Sequence, residues 1–156
     1  MTTSLIRIAS PQEDSLIAKH LYQLSIDIGV PAEVIKDNWL DISLQFISHV
    51  RQTLSYKAFV AEVNGIVVGS ASCQLYTKPY PQIWAEHYSK SGYVWGVYVE
   101  SPYRGQGIGK QLTSQAIEYL QSLNCTRVLL HASFLGQPIY KSFGFSDSNE
   151  MYLDLK

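Results

Sequence analysis

The stretch GYVWGVYVESPYRGQGIG, residues 92–109, decides the fold of this chain. Its β-branched and aromatic run over residues 92–99 predicts a strand, and the three alternating glycines that follow predict a turn. A helix is expected to begin at about Gly109 or Lys110, with the unpaired N–H groups of its first turn directed back into the turn. Because glycine adopts positive φ and leaves room for a ligand, we interpret this junction as an anion site suited to a pyrophosphate.

The spacing of this turn excludes two other glycine-rich phosphate motifs. A P-loop that ends in Gly109-Lys110 needs a glycine at position 104 and a hydroxyl residue at position 111, but Arg104 and Gln111 stand there. A dinucleotide fingerprint needs its third glycine at position 110, which is a lysine, and usually lies in the first βαβ unit of a chain. A tight strand-to-helix link without a ligand stays open as the alternative.

Length and composition are those of one soluble globular domain, which we place at residues 1–156. The formal net charge of -1 gives no general field that would attract anionic partners, so neither nucleic acid nor a membrane is expected to bind. The two cysteines lack metal-ligand spacing, and no metal site is expected. The N-terminus has no signal-peptide pattern and no stretch approaches transmembrane length, so a cytoplasmic location is expected.

Outside residues 92–109 the hydrophobic pattern changes several times between strand and helix periodicity. Asn64-Gly65 joins two β-rich runs and predicts a tight hairpin. Apolar residues at helical spacing predict two helices before this hairpin and one helix after the glycine turn. Including the two hairpin runs, the strands predicted outside residues 92–109 are residues 5–9, 57–63, 66–76, 127–132 and 151–155. A short helix is predicted at residues 138–143. This order predicts an α+β fold with helices packed on the faces of a sheet.

Three parts of the chain carry a resemblance to a known family. They are the turn Arg104-x-x-Gly107-x-Gly109, the segment Val97-Tyr98-Val99 before it, and, after it, Ser133 with LGQPIYKSFGF over residues 135–145. Together they resemble the coenzyme A pyrophosphate loop and the second cofactor-binding motif of the GNAT superfamily of N-acetyltransferases. The resemblance implies the GNAT-like acyl-CoA N-acyltransferase fold, in which a central, mostly antiparallel twisted sheet has a splayed parallel strand pair and flanking helices.

The same resemblance implies acetyl-CoA as the acyl donor and a direct transfer that needs no metal. The residues it implies for cofactor binding are Val97, Tyr98, Val99, Arg104, Gly105, Gln106, Gly107, Ile108, Gly109, Lys110 and Ser133. Val97 and Val99 would pair with the pantetheine arm through their backbone groups, as if the cofactor were a further strand.

Tyr140 stands in the family position Tyr-x-x-x-Gly-Phe and is implied to be catalytic. A tyrosine phenol in water has a pKa of about 10, so it stays protonated at neutral pH and can give its proton to the departing thiolate. The alternative is a core tyrosine that anchors the short helix.

The acceptor implied by the resemblance is a primary amine, which we expect on a small molecule, and it attacks the thioester in a ternary complex. Such an amine is mostly protonated at neutral pH, so a base or a water relay must act first. The nearest titratable candidates are Glu86, His87 and Glu100. Two other functions stay open: a non-catalytic acyl-CoA sensor or interaction module, and a protein or peptide N-acetyltransferase. A homodimer is a further possibility.

Several aromatic residues are candidates for the acceptor side. Strict alternation along the strand places Tyr93 and Trp95 on the same face as Val97 and Val99, where they either shape an acceptor pocket or fill the core. The irregular, aromatic-rich segment 77–91 is expected to be a substrate loop. Three residues of the second predicted helix either border a substrate groove or belong to the core: Trp39, Asp41 and Phe46.

Overall fold

A computed structural model describes residues 3–156 of the chain. Its centre is one five-stranded sheet in the order β1-β2-β3-β4-β5. The strands are β1 (Leu5–Ile8), β2 (Lys57–Val63), β3 (Ile66–Leu75), β4 (Ser91–Val99) and β5 (Arg127–Leu129). The first four strands pair antiparallel, and β5 pairs parallel to β4. The predicted α+β architecture, with one parallel pair in a mostly antiparallel sheet, is confirmed.

Helices cover both faces of this sheet. They are α1 (Asp14–Asp27), α2 (Trp39–Thr53), α3 (Ile108–Ser122) and α4 (Gln137–Ser142). On one face Leu112, Ala116 and Leu120 of α3 are fully buried against the sheet. On the other face Ile17 of α1 and Ile47 of α2 are buried over the start of β2. Apolar residues at helical spacing, which predicted these helices, therefore supply their buried faces.

The hairpin between β2 and β3 forms where Asn64-Gly65 predicted it. Both residues have positive φ, 52° and 78°, as a two-residue type I′ turn requires. Val63 pairs with Ile66 directly beside the turn. The dipeptide was sufficient to predict the hairpin, because a type I′ turn needs two successive residues in the left-handed backbone conformation.

The strand β4 separates from β5 partway along its length. Only Ser91, Gly92 and Tyr93 pair with β5, whose last residue is Leu129. Beyond Tyr93, β4 continues to Val99 with β3 alone as its partner. A stretch of strand edge is therefore left open beside the start of α3.

A bulge at Gly96 interrupts the alternation of β4 and corrects one prediction. Ser72 pairs with Trp95 and Ser70 with Tyr98, so β4 has one more residue than β3 between these pairs. Gly96 has φ 65° and absorbs the extra residue. Trp95 consequently packs on the α1–α2 face, whereas Val97 and Val99 pack on the α3 face. The prediction that Tyr93 and Trp95 share a face with the two valines is wrong.

The end of the chain also differs from its prediction. The predicted strand at residues 127–132 ends at Leu129, and residues 151–155 form no strand. Met151, Leu153 and Leu155 are exposed. Alternating apolar residues favour an extended chain, but a strand also needs the backbone of a neighbour, and none pairs with this segment among residues 3–156. No helix in the described part of the chain is long and apolar enough to cross a membrane.

Candidate active site

The glycine loop, residues 105–110, presents backbone N–H groups that have no acceptor among the residues the structure describes. The helix α3 begins at Ile108, and its N-cap Gly107 has φ 82°. Gly105 has φ 78°, and a Cβ on either glycine would meet no atom within 4 Å. The glycines are thus needed for their conformation, because L side chains are strained at positive φ. Free N–H groups at a helix N-terminus fit a pyrophosphate.

The open edge of β4 adjoins this loop. The N–H of Glu100 donates to the carbonyl of Val68 on β3. In an antiparallel ladder the N–H and C=O of one residue point the same way and neighbouring residues point oppositely. The backbone groups of Val97 and Val99 therefore face away from β3, toward the side that β5 has left. Both backbone groups of Val97 and the N–H of Val99 fit the predicted pairing with an amide-bearing arm, whereas the Val99 carbonyl accepts a hydrogen bond from Arg104.

Arg104 is turned toward α1 and not into the glycine loop. Its Nε donates to the carbonyl of Val99 at 2.7 Å, and its Nη2 lies 2.7 Å from Oδ2 of Asp27. Its guanidinium also lies 5.3 Å from the ring centre of Tyr98. Hydrogen bonds from Arg104, with a smaller contribution from Gln23, hold the pKa of Asp27 below its usual value. In this geometry Arg104 ties the end of β4 to the end of α1, and its role in cofactor binding stays a prediction.

The side chain of Tyr98 lies on the α1 face of the sheet. Tyr98 is buried, and its ring centre is 5.1 Å from that of His20 on α1. His20 Nδ1 shares a hydrogen bond of 2.7 Å with Ser70 Oγ. Burial lowers the pKa of His20 to about 4, so the imidazole is neutral at physiological pH. His20 is thus packed in the core of the protein, between α1 and the sheet.

Tyr140 lies on α4, which packs beside the glycine loop. A Cβ on Gly109 would lie 3.8 Å from Ile139, and the Lys110 ammonium lies 5.7 Å from the ring centre of Phe143. Burial raises the pKa of Tyr140, so its phenol is protonated at neutral pH. Ser133 Oγ accepts a hydrogen bond from the N–H of Gly136 and caps the loop before α4.

Tyr140 also lines a cavity of about 340 Å³, the polar cavity, between α4, the start of β4 and the chain after β5. Its wall includes Tyr76 and Tyr93, whose rings stack with centres 5.6 Å apart. The loop residue Gly136 is closely packed here, since a Cβ on it would lie 3.0 Å from the Tyr140 ring. A side chain at position 136 would therefore press against the Tyr140 ring.

Comparison with known proteins identifies the family. The family model described as "Acetyltransferase (GNAT) family" matches residues 16–145. The chain belongs to the GNAT family of acetyltransferases.

Among curated proteins, a glucosamine 6-phosphate N-acetyltransferase from Trypanosoma brucei brucei is 33% identical over 100 residues. This match covers 64% of the present chain and 65% of the relative, less than two thirds of its length.

Solved structures agree with the GNAT fold over nearly the whole chain. A predicted acetyltransferase from Clostridium acetobutylicum, crystallised with acetyl-CoA, has a TM-score of 0.81 and 25% identity and covers 99% of this chain and 96% of its own. A GCN5-related N-acetyltransferase from Ralstonia eutropha has a TM-score of 0.82 at 24% identity, with 98% of this chain and 99% of its own covered. The second likeness concerns the fold alone.

The structure of this GNAT acetyltransferase brings none of the predicted base candidates to Tyr140. Glu86 is largely exposed and lies 3.7 Å from the Lys90 ammonium, and His87 is exposed in the same loop. Glu100 directly follows the end of β4, on the far side of the bulge from Tyr93. The three residues do not line the polar cavity.

Two residues that the sequence did not mark do line this cavity. His131 Nδ1 forms a hydrogen bond with the hydroxyl of Tyr93, and His131 Nε2 lies 3.7 Å from Oε2 of Glu150. Both His131 and Glu150 share the cavity wall with Tyr140. The sequence could have indicated His131 by its position just after the carboxyl end of a predicted strand, because open sheets bind ligands at the carboxyl ends of parallel strands.

A second cavity of about 310 Å³, the apolar cavity, lies between α1, α2 and the middle of β4. Trp95 and Phe46 line it, with their ring centres 5.7 Å apart in an edge-to-face arrangement. Of the other groove candidates, Trp39 packs on Tyr22 with ring centres 4.7 Å apart, and Asp41 is exposed; neither lines the cavity. Residues 78–90 of the predicted substrate loop line neither cavity.

Proposed function

We propose that this GNAT acetyltransferase transfers the acetyl group of acetyl-CoA to a primary amine of a small molecule by direct attack. The observation that carries the proposal is the meeting of three elements at Gly109: a Cβ there would lie 3.8 Å from Val99 on the open β4 edge and 3.8 Å from Ile139 on α4, beside the free N–H groups of the glycine loop. The Clostridium acetobutylicum structure with acetyl-CoA supports the donor. The Trypanosoma relative supports an amine acceptor.

Acetyl-CoA supplies an activated acyl thioester, and the chain supplies its placement. The N–H groups of residues 105–110 hold the pyrophosphate, and the backbone of Val97 and Val99 pairs with the amides of the pantetheine arm. Free N–H groups of β4 polarise the thioester carbonyl in a site that Gly96 has opened. The amine nitrogen then forms the new C–N bond as the C–S bond breaks. Tyr140 gives its proton to the leaving thiolate.

The amine must lose a proton before it attacks, and His131 is placed to receive it. An imidazole nitrogen accepts protons near neutral pH. The hydroxyl of Tyr93 and His131 Nδ1 share a hydrogen bond. In the tautomer whose Nδ1 is the acceptor, Tyr93 can pass its proton to the imidazole while it takes one from the amine. Glu150 Oε2 lies 3.7 Å from Nε2 on the other side of the ring.

A coenzyme A-release assay against a broad panel of amines, amino acids and peptides tests this proposal. We expect release with at least one small primary amine and an unmodified protein mass during turnover, because no covalent enzyme intermediate is involved. Acetyl-CoA binding with no release across the panel would contradict the proposal and support the acyl-CoA sensor. Release with peptides alone would support the protein N-acetyltransferase. The homodimer and the cytoplasmic location stay predictions from the sequence.

A further inference from the structure

The apolar cavity has a wall with almost no polar groups. Its buried floor is formed by Ala18 and Ile47, each 1% exposed, and its rim by Ile42 and Phe46, which are about half exposed. Ser43 and Gln74 are the polar lining residues apart from the Tyr93 phenol, and no Lys, Arg, His, Asp or Glu contributes to the wall among the described residues.

Two of the polar groups of this wall are already engaged within the protein. Gln74 Oε1 accepts a hydrogen bond of 2.8 Å from the indole Nε1 of Trp95, and Ser43 Oγ donates to the carbonyl of Trp39 at 2.7 Å. The Gln74 amide nitrogen is the remaining donor, so a polyhydroxylated ligand would have to give up most of its hydrogen bonds to water here without recovering them, which is unfavourable. A phosphate would lose its hydration without meeting a cation.

Tyr93 connects the apolar cavity to the reaction site. Tyr93 lines both cavities, and its hydroxyl is hydrogen-bonded to His131, which lines the polar cavity together with Tyr140. A ligand with its apolar body against Trp95 and Phe46 can therefore direct a terminal amine toward the Tyr93 hydroxyl. The bulge at Gly96 makes this possible. It directs the Trp95 side chain to the α1–α2 face of the sheet and the Val97 side chain to the α3 face, the face of the glycine loop.

We infer that the acceptor is a primary amine on an uncharged apolar body, of the arylalkylamine class, and that phosphorylated amino sugars are excluded. The inference rests on the proposed function, since it assigns the acceptor of the same reaction. A cavity of 310 Å³ suits one ring with a short aliphatic arm. This selectivity differs from the substrate that the Trypanosoma relative is named for.

The test compares 2-phenylethylamine with glucosamine 6-phosphate in two separate measurements, binding by calorimetry in the presence of coenzyme A and coenzyme A release with acetyl-CoA. We expect 2-phenylethylamine to bind and to have a kcat/KM at least about a hundredfold higher. Turnover of glucosamine 6-phosphate with no binding of 2-phenylethylamine would overturn the inference and leave the proposed function intact. Binding of 2-phenylethylamine without turnover of any amine would support the cavity assignment and overturn the proposed function. Failure of both amines to bind would overturn the inference.

Two substitutions in the wall of the apolar cavity, compared with two substitutions at one exposed control position, test whether this cavity determines the rate with 2-phenylethylamine. Phe46→Ala should lower kcat/KM for 2-phenylethylamine about tenfold, because it removes one ring from the rim. Ile42→Arg should lower it at least as much, since it places a charge beside the apolar body. Ile66→Ala and Ile66→Arg change an exposed hairpin residue far from both cavities and should leave the rate unchanged. Equal rates for the Phe46, Ile42 and Ile66 variants, each folded by circular dichroism, would overturn the inference.

Discussion

The glycine loop and the apolar cavity lie on opposite sides of β4 and are formed by different parts of the protein. The loop consists of consecutive backbone N–H groups, and its geometry depends on glycines at positive φ. The cavity consists of side chains from α1, α2, β3 and β4, which are distant in the sequence. A ligand of fixed structure can be held by a local backbone motif, whereas the acceptor side can change with single side chains. The bulge at Gly96 separates the part of β4 next to the glycine loop from the part that lines the apolar cavity.

Gly107→Val should cause the largest loss of function, and the structural change behind this loss should be confined to the glycine loop. A β-branched residue is strained at φ 82° and would displace the N–H groups at the start of α3. We expect acetyl-CoA affinity to fall by at least about a hundredfold, measured by calorimetry. Gly65→Val is the matched control, since Gly65 also has positive φ and open space but lies in the hairpin. Both variants should lose similar stability, and equal acetyl-CoA affinity in the two would contradict the role of the loop.

Tyr140→Phe separates donor binding from chemistry. The ring keeps its packing against Phe145, but the proton for the thiolate is lost. We expect kcat to fall by about a hundredfold with the KM for acetyl-CoA unchanged, in steady-state coenzyme A-release assays. Tyr88→Phe, at an exposed ring in segment 77–91, should change neither constant. An unchanged kcat in the Tyr140 variant would remove this phenol from the mechanism.

The acid stability of the α1 face should depend on His20. The pKa of His20 is lowered by burial from 6.5 to about 4, so between these values the unfolded chain binds a proton that the folded chain does not. Stability should therefore decrease as the pH falls from 6.5 toward 4, by about 2 kcal/mol between pH 7 and pH 5. Urea unfolding at both pH values measures this. His20→Gln should reduce the difference, and His49→Gln, at an exposed position of α2, should keep it. The same pH difference in wild type and His20→Gln would contradict this cause.

His131→Gln should have the smallest of these effects on turnover, because water can partly replace the base. We expect kcat/KM to fall by about tenfold at neutral pH and by less at high pH, where more of the amine is already unprotonated. A pH–rate profile measures this. His87→Gln changes an exposed histidine outside the cavity and is the control. A loss that is the same at every pH would show a structural role for His131 and exclude it as the base.

The sequence predicted those parts of the protein that depend on neighbouring residues. The glycine loop, the Asn64-Gly65 turn and the helix that carries Tyr140 each follow from local φ requirements or short spacing, and the structure has all three elements. Trp95 was assigned to the wrong face because the bulge at Gly96 depends on how β4 pairs with β3. A Cβ on Gly69 of β3 would lie 2.8 Å from the Tyr98 carbonyl oxygen, a close approach that no local pattern of β4 specifies.

The apolar cavity and the contact between Tyr93 and His131 could not be predicted for a related reason. The contact joins residues 38 positions apart, and the cavity collects residues from four elements whose relative placement follows only from the packed sheet. The predicted strand at residues 151–155 failed because alternation describes one strand and says nothing of its partner. Tertiary pairing, and not local propensity, decided each of these differences.

Isothermal titration of the wild-type chain with acetyl-CoA tests the central claim most directly, because the loop, the open β4 edge and α4 must all act together to bind it. We predict one site per chain with a dissociation constant of about 1 to 100 µM. The absence of heat at high micromolar acetyl-CoA, for a sample shown to be folded, would contradict the account.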